Sequence, residues 1–184
     1  MNFEHQLCIL IFLSKIFNMS RGFVREGDQE EAPIIPPRAA LPEGTPNYVT
    51  PTGLDLLLDE RTDIERQMET LTTTESAQQR RELLILREKF NQLQQRISSA
   101  RIVDLTEQPP DEIRFGAKVT YRIPPSRKPV KIQITGVDEA DIRQRKIAFI
   151  APIAKAITGH RAGDIVDFQP GNELRKLEIL KIEY

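Results

Sequence analysis

"TPTGLDLLLDERTDIERQMETL" (50–71) and "SAQQRRELLILREKFNQLQQRISSAR" (76–101) decide the fold. Thr50 followed by Pro51 is a helix start. A hydroxyl side chain caps the first free N–H groups, and proline sits where its missing N–H costs nothing. Apolar residues then fall at 54, 57, 64, 68 and 71, with Arg61 at the one skipped seam position. After the polar turn Thr72-Thr73-Thr74 the same spacing resumes at Leu83, Leu86, Phe90, Leu93, Ile97 and Ala100. Each set is a heptad seam. Two seamed helices joined by a short turn pack antiparallel, so 50–104 is predicted to be a helical hairpin of the coiled-coil type.

Charge agrees with that pairing. Residues 51–71 hold six acids against two bases, a net of −4, and 76–101 hold six bases against two acids, a net of +4. Opposite signs on facing helices select partner and orientation, although each exposed pair contributes only about 0–1 kcal/mol.

From Ile102 the period moves towards two. "FGAKVTYRI" (115–123) and "VKIQITGV" (130–137) alternate, and "KIAFI", "DIVDF" and "LRKLEILKIEY" are further strand candidates. "APIAKAITG" (151–159) carries Pro152 in a first turn and a closing glycine, the marks of one short helix. The fold class is therefore α+β: a helical hairpin (50–104), then a small, mainly antiparallel β-rich domain with one short helix (105–184). Residues 112–184 carry 14 bases and 9 acids, a net of +5.

Upstream, residues 19–49 are acidic and then rich in proline, which removes amide donors and favours extended chain, and they are predicted to be a disordered tail. Residues 1–18 hold an apolar run, Leu7 to Leu13, that is too short to span a bilayer. It has no basic residue before it and no small-residue cleavage pattern after it. These 18 residues are read as a non-native extension ahead of a natural start at Met19.

The 184 residues exclude several chemistries. The single cysteine, Cys8, rules out an intramolecular disulfide, and two distant histidines, His5 and His160, make no zinc spacing. There is no glycine-rich phosphate loop, no Cys–His pair and no G-x-S-x-G. Phe115, Tyr121, Phe149 and Phe168 sit at strand spacing and are expected in the core rather than on a base-stacking platform. His160, beside Arg161 in a loop, is expected to be an exposed polar residue.

Six words carry a resemblance that covers residues 48–184: "VTPTGLDLL" (49–57), "IVDL" (102–105), "FGAKVT" (115–120), "ITGVDEAD" (134–141), "IAPIAKAITGHRAGD" (150–164) and "KIEY" (181–184). Together they resemble the GreA/GreB transcription elongation factors. That resemblance implies an FKBP-like second domain docked at the rim of the secondary channel of bacterial RNA polymerase. It implies a hairpin that enters the channel, where tip acids of the family help hold the polymerase's catalytic Mg²⁺ for cleavage of backtracked RNA. Pro152 and Ile153 match the family's docking loop, with Ala151 in place of its serine. Arg80, Arg81 and Arg87 are candidate contacts to nascent RNA, against pairing with the acidic helix.

The tip departs from the family. The acidic motif G-D-x-x-E-N-A is replaced by "TLTTTESA" (70–77), which leaves Glu69 and Glu75 as weak candidates for metal-assisting acids. The hairpin is also shorter by roughly one heptad per helix, or on the order of 10 Å of reach. An acid-poor, shortened hairpin resembles the non-cleaving relative called the regulator of nucleoside diphosphate kinase. The expectation is a monomeric cytoplasmic factor with no catalytic residue, metal or cofactor of its own. It would bind polymerase and modulate elongation or backtracked complexes without efficient cleavage. The alternatives are a cleavage stimulator using the tip acids, a peptidyl-prolyl isomerase, disfavoured by the absence of tryptophan, and self-association of the hairpin as a four-helix bundle.

Overall fold

The computed structural model describes residues 34–71, 76–126, 128–169 and 171–184. Strand β1 (Asn47–Val49) leads into helix α1 (Pro51–Leu71), which is followed by α2 (Ala77–Ser98) and strand β2 (Ala100–Ile102). Strands β3 (Lys118–Arg122), β4 (Val130–Thr135) and β5 (Lys146–Ala148), short helix α3 (Pro152–Ile157), and strands β6 (Ile165–Phe168) and β7 (Arg175–Glu183) complete the chain.

The helices start and pack as the spacing predicts. Thr50 caps α1, its Oγ1 accepting the Gly53 N–H at 2.9 Å. Ser76 caps α2, its Oγ accepting the Gln79 N–H at 3.2 Å. Leu57, Ile64, Leu86 and Leu93 are buried in the seam with Val49 of β1, and Leu54, Met68, Leu71, Phe90, Ile97 and Ala100 pack on them. Arg61 interrupts the seam: its Nε is buried without a hydrogen bond, and Glu65 lies 3.9 Å away.

Two boundaries differ from the sequence reading. The second helix ends at Ser98, not at 101, because serines at 98 and 99 are weak helix formers and the chain finds other partners. Residues 100–102 pair in parallel with 47–49, in register Asn47 to Ala100 and Val49 to Ile102. Asn47, buried, donates from Nδ2 to Arg96 O at 2.8 Å and so takes up a carbonyl at the end of α2. For the same reason the stretch read as a disordered tail (19–49) is engaged at its C-terminal end: Asn47 and Val49 are buried, and Arg38 is ion-paired. Residues 19–33 of that stretch, and the extension 1–18, lie outside the described residues.

The β domain is a five-stranded sheet in the order β5-β4-β3-β7-β6, antiparallel except for the β4–β5 pair. Alternation places Val119, Tyr121, Ile132, Ile134, Val166, Leu177 and Ile179 on one buried face, where Ala154 and Ile157 of α3 cover them. The C-terminal Tyr184 closes the domain: its hydroxyl donates to Glu112 O at 2.7 Å and accepts the Arg114 N–H at 2.9 Å.

Candidate functional site: the hairpin, its joint and the loop before the short helix

The joint between hairpin and β domain is built by "GVDEAD" (136–141), the turn that leaves β4. Gly136 lets this turn approach β1 closely, since a Cβ there would lie 2.8 Å from Tyr48 O. Glu139 then reaches the start of α1. The Thr50 hydroxyl, already accepting the Gly53 N–H, donates to Glu139 Oε2 at 2.6 Å, and Lys146 Nζ lies 3.3 Å from Oε1. The Glu139 carboxylate is almost fully buried, and the positive end of α1 and the Lys146 ammonium compensate its charge. A Cβ on Gly53 would meet Glu139 Oε2 at 2.7 Å, so a glycine three positions into the helix is what admits the acid.

Asp138 makes the second lock. Its Oδ2 is 3.1 Å from Arg96 Nε on α2, and its Oδ1 is 3.1 Å from Arg38 Nε. Arg38 also forks onto Glu60 of α1 at 2.8 and 2.9 Å. These carboxylates, Glu60 first, hold the Arg38 guanidinium above its usual range against the effect of burial. Beside the locks, Tyr48, Phe115 and Phe149 form a triangle of tilted and edge-on rings with centroids 5.7–5.8 Å apart. Of the four aromatics expected in the core, Tyr121 is buried, Phe149 and Phe168 pack against the core, and Phe115 joins this triangle. His160 is half-exposed, with Nδ1 3.3 Å from Asp164 Oδ2.

The loop before α3 sits at the far edge of the sheet from β6. Pro152 is exposed at the first helical position, and Ala151, in the N-cap position, contributes no side-chain hydrogen bond. Ile153 is half-buried and packs against the β core, so it serves the fold as well as any surface. Next to Ala151 lies a groove of about 670 Å³ whose walls include Val130, Ile132, Ile142 and Ile147, with Arg145 and Lys146 among its polar residues. Ile142, on the wall of this groove, is 90% exposed.

On the hairpin, Glu69 is exposed in the last turn of α1, and Glu75 falls outside the described residues. Arg80, Arg81 and Arg87 are exposed along α2. The expected cross-helix pairing of these arginines is not made: the ion pairs within the hairpin join Arg61 to Glu65 and Arg66 to Asp63 on α1, among the described residues. The opposite net charges therefore act across the hairpin as a whole rather than through pairs involving these arginines. The described residues hold no group of three or more His, Cys, Asp and Glu side chains able to bind a metal ion. None of their helices is long and apolar enough to cross a membrane.

Residues 108–184 match the family described as "Transcription elongation factor, GreA/GreB, C-term". Over these residues the chain is similar to the C-terminal domain of the GreA/GreB factors. The transcription elongation factor GreA of Trichlorobacter lovleyi is 36% identical over 96 residues, covering 52% of this chain and 61% of that protein. GreA of Orientia tsutsugamushi is 34% identical over 96 residues, covering 52% and 60%. The aligned part thus spans about three-fifths of the length of these relatives. Among solved structures, the transcription factor Gfh1 aligns at 19% identity and a TM-score of 0.38, over 82% of this chain and all of that one. The GreA/GreB factor from Nitrosomonas europaea aligns at 20% and 0.38, over 76% of this chain and 99% of that one.

The sequence words resembling GreA/GreB fall on structural joints: "GVDEAD" makes the lock, "VTPTG" receives it, and "KIEY" closes the sheet. Sequence reasoning missed Arg38, Arg96 and Asp138 as a unit. Their only signal in the sequence is a single basic residue, Arg38, in the proline-rich stretch 33–46.

Proposed function

We propose that this chain binds bacterial RNA polymerase at the rim of the secondary channel through its β domain, places its hairpin in the channel, and modulates elongation without efficient transcript cleavage. The match of residues 108–184 to the GreA/GreB C-terminal domain carries this reading. The apolar groove beside Ala151 and exposed Pro152 supports it, because an apolar surface flanked by Arg145 and Lys146 suits docking against an acidic, partly apolar protein element. The cytoplasm is where such a factor would act.

The chain supplies no catalytic group in this account. The sequence between the two helices offers three threonines and one acid, where a second Mg²⁺ would need hard, charged oxygen ligands. Glu69 and Glu75 then carry no metal in this account. Arg80, Arg81 and Arg87 are available to contact phosphates of extruded RNA. An isomerase reading is disfavoured because the sequence has no tryptophan to floor a prolyl pocket.

Pro152→Asp tests the docking. Aspartate is well tolerated in a first helical turn, so α3 keeps its structure while a charge enters the docking loop. Pull-down of core polymerase should fall at least tenfold with an unchanged circular-dichroism melt. Undiminished capture by the folded variant would move the docking surface elsewhere.

A further inference from the structure

Arg38 lies ahead of the hairpin and outside the span that matches the family, yet one guanidinium ties three parts of the molecule together. It forks onto Glu60 of α1, and its Nε donates to Asp138 of the β-domain turn. The backbone next to it is held as well, since Arg96 of α2 donates to Ala39 O and pairs with Asp138. The Arg96 and Asp138 side chains are 10% and 9% exposed and that of Arg38 is 21% exposed, so the pairs on Asp138 are only partly screened; Glu60 is 43% exposed, and its contact rests on the two-pronged geometry.

We infer that Arg38 and the segment carrying it form a strap that fixes the direction of the hairpin on the β domain. Leverage is the reason. The other locks, Thr50 to Glu139, Arg96 to Asp138 and the aromatic triangle, sit at the start of α1 and the end of α2, close to any pivot. Glu60 is ten residues up the helix, roughly 15 Å from Thr50, and Leu71 at the far end is roughly 31 Å away. Rocking the hairpin by about 10° shifts Glu60 by roughly 2.6 Å, which takes a 2.8 Å hydrogen bond beyond its working range. The same rocking moves the end of α1 by roughly 5 Å, a large error for an element that must enter a channel. A modest interaction at Glu60 therefore controls a large displacement at the tip. Arg38 is a positioning residue, and its consequence for polymerase rests on the function proposed above.

Spin labels on Gln67→Cys of α1 and Asp167→Cys of β6, both exposed positions, in a full-length Cys8→Ser background read the hairpin direction by pulsed electron resonance in the free protein. The parent should give one narrow distance. Arg38→Gln and Glu60→Gln should each broaden it by several ångströms at an unchanged helix content. Arg38→Lys, which keeps charge but cannot fork, should fall between. Widths equal to the parent in both glutamine variants would overturn the strap. Pro152→Asp should leave the distance narrow while losing polymerase. If the parent itself fails to bind polymerase, the proposed function falls and the distance measurement still decides the strap.

Discussion

Gly53 stands in the first turn of α1, where alanine would ordinarily favour a helix by about 1 kcal/mol. The structure assigns the glycine a different value: it leaves room for Glu139, 2.6 Å from the Thr50 hydroxyl. Gly53→Ala should therefore destabilise the protein by about 1 kcal/mol in urea unfolding, because the loss of a buried, charge-assisted hydrogen bond outweighs the propensity gain. A more stable variant would show that the acid has freedom to move aside. Glu183 offers a second residue-scale test. Hydrogen bonds from Lys131 and then Lys181 lower its carboxyl from the usual 4.5 to about 2. Because the folded value is depressed, its contribution is complete above about pH 4.5 and is lost as pH falls towards 2. Carboxyl resonances followed by NMR should show this, and Lys131→Gln should move the titration upwards. At this scale the sequence discloses the cap and not its partner. Thr50-Pro51 is a local signal, whereas Glu139 is 89 residues away and nothing in its neighbours marks it as buried.

Among the elements, the hairpin was the most legible, because a heptad seam repeats over many turns and every added turn reinforces the reading. Its flaw was legible too. Arg61 at the skipped seam position leaves a buried Nε unbonded. Arg61→Leu should stabilise the hairpin by about 1–2 kcal/mol, by continuing the apolar seam and removing a desolvated nitrogen. A lower melting temperature for that variant would mean that the Arg61 side chain has a partner worth more than the seam. The five sheet strands were readable from alternation, and α3 from Pro152 and Gly159. Strands β1 and β2 were not. Each has three residues, too few for a period to register, and their parallel pairing joins segments on either side of the hairpin. The end of α2 differs for the same reason: the apolar spacing continues through Ala100, and the weak helix formers Ser98 and Ser99 end the helix where β1 offers the chain a partner.

For the whole molecule, the hairpin and the β domain matter through their joint. Asp138 and Glu139 lie side by side on one turn and lock different parts of the hairpin, α2 and the start of α1. Arg38 adds the strap to α1. The sequence marks the loop of the candidate docking residues but not its packing: Pro152 is exposed, whereas Ile153 is shared with the core, because core contacts from the facing strands leave no local signal. The central claim, proposed above, is that a domain similar to the GreA/GreB C-terminal domain would deliver a hairpin into the polymerase channel without promoting hydrolysis. The most direct measurement is the rate at which stalled, backtracked complexes release short 3′ RNA fragments with Mg²⁺ and a cleavage-competent GreA, as this chain is titrated in. The account predicts that release falls with increasing chain, by competition for the channel, and that the chain alone releases none. An unchanged rate, or fragments released by the chain alone and lost in the Glu69→Gln, Glu75→Gln double variant, would contradict it.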